Sequence, residues 1–242
     1  MAASSETGHA KNVANAKLIN QQVEALGAKY NPSNPKLKLA NLVEIYEKAY
    51  TIQEKVNLSV APYSLAVDKR ERIFAPKSKK ITKLYKAYRV TEGVTQAQLD
   101  DFMTISRKLK GSTKPKKTSE TESEEEKKQY STSQMSYDYR TNNYDLLISL
   151  LEHTPNYSPN EEEFQVQTLK AEKEEMLQST KEVSNNYIPL NNYRGERNFT
   201  FYNSEDNLVD TYSKVKDYLT LILDVNSVEY KAIGRIKFKK VI

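Results

Sequence analysis

The sequence predicts an all-α protein, built as a tandem duplication of one long-helix bundle unit. Three observations lead to this prediction: residues 30 to 88 recur 127 positions later, both stretches space their apolar residues as helices do, and a low-complexity segment lies between them. From this pattern we expect about four helices in each copy, packed in the manner of a coiled coil.

The internal repeat aligns without a gap. When residues 30 to 88 are shifted onto residues 157 to 215, eight of the 59 positions are identical. This identity is low, but the apolar spacing survives the same shift, which a chance match would seldom preserve. The identical pairs are Tyr30/Tyr157, Pro32/Pro159, Glu47/Glu174, Val56/Val183, Pro62/Pro189, Arg70/Arg197, Phe74/Phe201 and Tyr85/Tyr212.

A long helix is predicted at the centre of each copy. Apolar residues recur at steps of three and four from Leu39 and again from Val166, and this period of 3.5 residues is typical of a helix packed nearly parallel or antiparallel to others. Each helix should contain roughly 35 to 40 residues and span about 55 Å. The predicted N-caps are Asn34, which precedes a proline, and Asn160, which precedes three glutamates.

Each long helix carries a proline and an arginine in its apolar seam. Pro62 and Pro189 each remove a backbone hydrogen bond, so we predict a kink at both, with a short turn between two helices as the alternative. Arg70 and Arg197 lie where a guanidinium group must pair with another group or reach water. We interpret both arginines as structural, and an anion-binding role is the alternative.

Shorter helices are predicted on either side of the long ones. Their boundary signals include Gly27, a capping box from Thr95 to Gln98, and serine caps at Ser204 and Ser227. The tail after Arg235 fits either a strand or a loose end. The predicted helices cover residues 9–27, 77–91, 95–109, 138–153 and 205–223 with a last one after Ser227, and their inward residues include Ile19, Val23, Ile81, Leu84, Tyr88, Phe102, Leu109, Leu146, Leu147, Leu150, Tyr212, Val215 and Leu219.

Composition divides the chain into four segments. Residues 1–8 are predicted to be disordered, and residues 111–136 form a low-complexity, flexible linker between repeats at 9–110 and 137–242. Residues 1–110 contain 19 Lys and Arg against 10 Asp and Glu, whereas residues 137–242 contain 13 against 17. A basic first copy and an acidic second copy would attract each other, within one chain or between chains.

The densest basic surface is predicted on the helix at 77–91. A nucleic acid would make salt-dependent phosphate contacts with such a surface, but a solvated helix face has the same composition. The matching helix of the second copy is mainly acidic, which favours the solvated face. The candidate contact residues are Lys77, Lys79, Lys80, Lys83, Lys86 and Arg89 on this helix, and Lys114, Lys116 and Lys117 in the linker.

The composition argues against an enzyme. The chain has no cysteine, two histidines and six isolated glycines, so thiol chemistry, cysteine metal sites and phosphate-binding loops are excluded. His9 and His153 have no nucleophile or second ligand nearby in sequence, and we assign both structural roles. The glutamates at 161–163 and around Glu172 are expected on solvated faces. We therefore expect no catalytic residue, no cofactor and no metal site.

The sequence also bears on the cellular compartment of the protein. Residues 1–11 lack the apolar core of a secretory signal, and the longest apolar runs are far shorter than the roughly 20 residues that cross a bilayer. We therefore expect a cytoplasmic protein without a membrane span.

The C-terminal stretch resembles a known group of proteins. Arg197-Asn-Phe-Thr-Phe-Tyr-Asn, Asn207-Leu-Val-Asp and Tyr230-Lys-Ala-Ile, ahead of Ile236-Lys-Phe, look like an uncharacterised family of tandemly duplicated helical proteins from Bacteroidetes-type bacteria. The resemblance covers both copies. It implies a duplicated helical fold, and it implies no activity and no site residues.

Taken with the absence of catalytic motifs, the long seams predict a non-catalytic helical-bundle protein that acts in self-assembly or protein–protein interaction. Its partner would be a second copy or another protein. One alternative is a nucleic-acid-binding protein that uses the basic helix and the linker. A second alternative is a helical protein that rearranges to act on membranes.

Overall fold

A computed structural model describes residues 8–111 and 135–241, and within these ranges the protein is all-α, without a β-strand. The predicted disordered start and the predicted linker lie almost entirely outside the described residues. The α-helices are α1 (His9–Leu26), α2 (Leu39–Phe74), α3 (Lys77–Arg89), α4 (Gln96–Lys110), α5 (Tyr137–Glu152), α6 (Val166–Asn198), α7 (Leu208–Ile222) and α8 (Val228–Arg235).

The chain forms two compact units that do not coincide with the predicted repeats. Unit 1 consists of Met1–Tyr63 and Asn186–Ile242, and unit 2 consists of Ser64–Asn185. Unit 1 thus takes α1 and the first part of α2 from one predicted repeat, and the last part of α6, α7 and α8 from the other. Unit 2 takes the remaining helices. Each unit therefore combines the N-terminal part of one repeat with the C-terminal part of the other.

The core of unit 1 joins α1 to α7 through the start of α2. Ile19 on α1, Leu42 on α2 and Tyr212 on α7 are fully buried in it, and Ile233 adds the short α8. Within this unit α2 and α6 run antiparallel, because Lys55 lies over the Tyr193 ring whereas Tyr63, further along α2, contacts Tyr187.

The tail after α8 is neither a strand nor loose. Asn12 donates to the carbonyl of Lys239 at 2.8 Å and accepts from its amide at 3.2 Å, and Asn15 donates to the carbonyl of Lys237 at 2.9 Å. Lys216 donates to the carbonyl of Ile236 at 2.7 Å. These side chains satisfy backbone groups that a neighbouring strand would otherwise pair.

The core of unit 2 is separate and is built from α3, α4, α5, the end of α2 and the start of α6. Leu84, Phe102 and Leu147 are fully buried, and the Tyr88 hydroxyl reaches Thr154 Oγ1 at 2.9 Å. The predicted inward residues of α3 and α4 are confirmed. On α5, Leu147 is confirmed and Leu150 is partly buried against this core, whereas the predicted Leu146 is exposed.

Both long helices are continuous through their prolines. Pro62 lies inside the 36-residue α2 and Pro189 inside the 33-residue α6, so the alternative of a turn between two helices is wrong. The bend at each proline stays a prediction. Five residues of π-helix, Phe199–Asn203, extend α6.

The predicted starts of the long helices were wrong by several residues. Asn34 does cap a helical turn, but that turn is a 3-10 segment, Pro35–Leu37, and α2 begins only at Leu39. Asn160 is not a cap at all. The extended backbone at Lys38 separates the 3-10 segment from α2, and that break is invisible in an apolar pattern.

The caps of the short helices were predicted with mixed success. The Thr95 capping box and the Ser227 cap are confirmed, and Gly27 ends α1 with a φ of 51°, where a side chain would be strained. Ser204 is not a cap: Asn207 accepts the Asp210 amide and starts α7. Residues 204–206, which were predicted to cap and begin this helix, form a turn instead.

Several local features recur at a separation of 127 residues. The Tyr30 hydroxyl donates to the Leu37 carbonyl at 2.7 Å, and the Tyr157 hydroxyl donates to the Phe164 carbonyl at 2.8 Å. After α6 the correspondence shifts, because the buried residues of α3 match those of α7 at a separation of 131. By the pattern of buried residues, Tyr212 therefore corresponds to Ile81. It does not correspond to Tyr85, with which it is identical in the gap-free alignment.

Candidate interaction surface

Among the described residues, no group of three or more His, Asp or Glu side chains is placed to hold a metal ion. His9 Nδ1 lies 2.7 Å from the Tyr202 hydroxyl, and His153 Nδ1 lies 2.8 Å from the Ser149 carbonyl of its own helix. Burial, with a smaller contribution from the charge of Arg197, lowers the pKa of His9. Both histidines therefore make local contacts that suit structural roles.

The predicted basic surface of α3 is smaller than expected. Lys77 and Lys80 are not on the outer side, because both point inward to the Glu172 carboxylate. Glu161 and Glu163 line the cavity beside Lys83 and Lys86, so acidic groups adjoin the basic ones that remain. The exposed members of the predicted set are Lys79, Lys83, Lys86 and Arg89, and Lys114, Lys116 and Lys117 lie outside the described residues.

Glu172 on α6 is the centre of a largely buried polar cluster. Its carboxylate accepts from Lys77 Nζ at 2.8 Å, from Lys80 Nζ at 2.5 Å and from the Tyr144 hydroxyl at 2.7 Å. Burial alone would raise the pKa of Glu172, but the three hydrogen bonds together outweigh burial and lower it. The cluster thus holds one carboxylate ionised between two ammonium groups.

Sequence reasoning placed Glu172 on a solvated face, and that was wrong. The internal repeat does indicate that Glu172 is buried, because Glu172 lies 127 residues after Ile45, and Ile45 is buried. A glutamate at a position that is apolar in the other copy implies a buried charge with partners.

The two seam arginines make different contacts. The Arg70 guanidinium carbon lies 3.8 Å from the centroid of the Tyr137 ring, which is a cation–π contact. Arg197 donates to Asn198 Oδ1 from Nε at 3.2 Å and from a terminal nitrogen at 3.0 Å. These contacts support the structural interpretation of both arginines.

The opposite charges of the predicted repeats meet within the chain. In each unit, lysines from the first repeat pair with carboxylates from the second. Most of these pairs are exposed, so each contributes little to stability. They nevertheless give the basic residues of the first repeat acidic partners without a second chain. The pairs are Lys36 with Glu205 and Asp206 in unit 1, and Lys69 with Glu182, Lys77 and Lys80 with Glu172, and Lys83 with Glu163 in unit 2.

An open groove of about 850 Å³ lies in unit 2 between α2 and α6. Lys69 and Arg72 lie on its α2 side, Glu174 and Glu175 on its α6 side, and Ile73 in its floor. Charged side chains of both signs therefore line this groove.

One face of α2 is apolar and exposed. Leu58, Ala61, Pro62 and Leu65 have the spacing i, i+3, i+4, i+7, which places them on one side of the helix. Leu58 is 76% exposed and Leu65 is 65% exposed. All four positions belong to one uninterrupted helix, so helix geometry alone puts them together. We call this set the α2 face.

The matching positions of α6 are more polar. Counted from the start of each helix, Asn185 occupies the place of Leu58 and Asn192 the place of Leu65. Both asparagines are exposed, and Ile188 and the matching Pro189 lie between them. Since α6 forms with asparagine at these places, the fold of a long helix does not require the two leucines of the α2 face.

None of the helices described here is long and apolar enough to span a bilayer. Comparison of the chain with protein-family models, with curated proteins and with solved structures found no match.

Proposed function

We propose that this is a non-catalytic helical-bundle protein that acts in self-assembly or protein–protein interaction, and that the α2 face is its binding surface. One observation carries the proposal. The α2 face presents two exposed leucines at a helix-packing spacing, whereas the same places on α6 carry asparagine. Apolar side chains that folding does not need are best explained by a protein that covers them.

This proposal differs from assembly through opposite charges. Lysines of the first predicted repeat already pair with carboxylates of the second inside each unit, as Lys36 does with Glu205. Burial of the α2 face would instead be driven by the hydrophobic effect, which salt does not screen.

We also infer that the chain is a tandem duplication of the kind that the resemblance implies. The supporting features are the matching starts of α2 and α6 at Leu39 and Val166, the matching hydrogen bonds of Tyr30 and Tyr157, and the prolines at the same place in both helices. Divergence between copies would then have given α2 a surface that α6 lacks.

Site-specific photo-crosslinking tests the proposed surface. A photoreactive amino acid replaces Leu65, and in the matched control it replaces Asn192, in cells that produce the chain. We expect a discrete protein adduct from position 65, absent at position 192 and lost when Leu58→Asn is added. Equal labelling from both positions, or none from either, would contradict a binding role for the α2 face.

Nucleic-acid binding is the second candidate function. The observation in its favour is that Lys79, Lys83 and Lys86 are exposed on α3 at spacings of four and three residues, with Arg89 beyond them. A mobility-shift assay should then show DNA or RNA binding at low salt that weakens as salt rises. The variant Lys79→Glu/Lys86→Glu should abolish the shift. No shift by the unchanged protein at low salt would remove this candidate.

A further inference from the structure

We propose that the partner of the α2 face is the α2 face of a second copy, packed antiparallel about a two-fold axis beside Ala61 and Pro62. This inference rests on the proposed function and names its partner. It is carried by the arrangement of charge along α2, which is independent of the exposed leucines themselves.

A line of exposed residues along α2 is bipolar. The acidic members, Glu47 and Glu54, precede the α2 face, and the basic members, Lys69 and Arg72, follow it. Steps of three, four or seven residues connect all of them to Leu58 and Leu65, so they lie close to the centre of the same side of the helix. Along the centre of this side the order is therefore acidic, apolar, basic. Exposed Lys55 and Asp68, three residues outside Leu58 and Leu65, lie at the edges of this side and have the opposite signs.

Such a line is complementary to itself when two copies are antiparallel. A two-fold contact pairs residue i of one copy with residue j of the other, and j with i. With the axis between Ala61 and Pro62, Leu58 lies opposite Leu65 of the second copy. Glu54 then lies opposite Lys69, and this pairing occurs twice in the dimer. A parallel arrangement would instead put glutamate against glutamate.

The charged groups are available for this contact. Glu54 accepts a hydrogen bond from the Tyr50 hydroxyl of its own helix at 2.8 Å, and Lys69 contacts Glu182 at 2.8 Å. Both contacts lie at the protein surface, where such interactions are weak and exchange readily. Lys69 would be shared between Glu182 and Glu54 of the second copy.

Light scattering on a sizing column, over a range of protein concentrations, gives the first test. The mass should rise from 27.8 kDa towards twice that value as concentration increases, and high salt should leave a dimer. The variant Leu58→Asn/Leu65→Asn, which copies the residues of α6, should weaken association by about 10,000-fold, since the two-fold dimer buries four leucines and each stabilises by about a factor of ten. Its circular dichroism should match that of the unchanged chain.

The absence of cysteine from the chain allows a clean test of orientation. Ala61→Cys should give a disulfide-linked dimer on mild oxidation, because the two thiols would lie beside the axis. The matched control is Ile188→Cys, which occupies the same place on α6 and is 57% exposed. This control should form little disulfide-linked dimer.

Charge reversal then tests the register. Glu54→Lys and Lys69→Glu should each weaken association several-fold, and the double variant should recover it, because the reversed charges again oppose each other. Weakening without recovery would contradict the antiparallel register.

Two outcomes separate this inference from the proposed function. If the purified chain keeps a mass of 27.8 kDa at every concentration, yet position 65 crosslinks to a different protein, the second-copy proposal is wrong and the interaction function stands. If position 65 gives no adduct and the mass is constant, both are wrong.

Discussion

Replacing Glu172 by alanine is expected to destabilise unit 2 by about 3 to 5 kcal/mol. The variant would leave Lys77 and Lys80 without their carboxylate, and the Lys77 side chain is only 8% exposed. An ammonium group held out of water without a counter-charge must either stay unsolvated or lose its proton, and both cost free energy. Urea unfolding followed by circular dichroism measures the loss.

Controls for Glu172 lie on the same helix. Glu175→Ala removes an exposed carboxylate three residues away and should change stability by no more than about 0.5 kcal/mol. Hydrogen exchange should place the effect of Glu172→Ala in α3, α5 and the first part of α6. Equal unfolding midpoints for the two alanine variants would show that the buried cluster does not stabilise the fold.

The same cluster predicts how stability depends on pH. The pKa of Glu172 is lower in the folded chain than its ordinary value of 4.5, so its contribution is complete above that value. It is lost as pH falls below 4.5 and through the folded pKa, because the unfolded carboxylate then binds the proton first. Glu172→Gln should therefore flatten the acid side of the stability curve.

Replacing Tyr212 by alanine is expected to destabilise unit 1 by about 3 to 5 kcal/mol, because it empties a fully buried site. The Tyr212 hydroxyl lies 2.8 Å from both Asn20 Oδ1 and the Leu42 carbonyl, so it links α7 to α1 and α2. Tyr212→Phe keeps the ring and removes only these contacts, and it should cost about 1 to 3 kcal/mol.

The comparison for Tyr212 is an exposed tyrosine. Tyr139→Ala, at a side chain that is 55% exposed, should lie within about 0.5 kcal/mol of the unchanged protein by the same urea measurement. If Tyr212→Phe were as damaging as Tyr212→Ala, the hydroxyl rather than the ring would dominate. If neither variant shifted the midpoint, the buried core of unit 1 would not limit stability.

Local signals predicted the helices well. The all-α class is confirmed, and so is the length of α2, because the period and length of an apolar pattern directly reflect helix packing. The α6 helix, with 33 residues, is slightly shorter than predicted. Caps were right where one side chain satisfies its own turn, as at Thr95 and Ser227. They failed at Asn160, where a 3-10 segment intervenes before α6, and at Ser204, which ends a π-helical segment while Asn207 caps α7.

The candidate surface could be predicted only in part. The apolar spacing from Leu58 to Leu65 is present in the sequence, but the same spacing also describes a buried stripe, and only the structure shows which apolar side of α2 is exposed. Likewise, six basic residues on α3 were assigned to one outer face. Lys77 and Lys80 belong to the interior because Glu172, almost a hundred residues later, comes to lie beside them.

What the sequence determined by itself was therefore local: where helices occur, roughly where they end, and the low content of groups that could perform chemistry. The tertiary structure decided how the helices combine. Each unit joins the first part of one predicted repeat to the second part of the other, and this choice gives basic residues acidic neighbours within the chain. The physical reason is that the spacing of apolar residues in the sequence shows which side of a helix is apolar. Which other helix packs against that side depends on contacts between residues far apart in sequence.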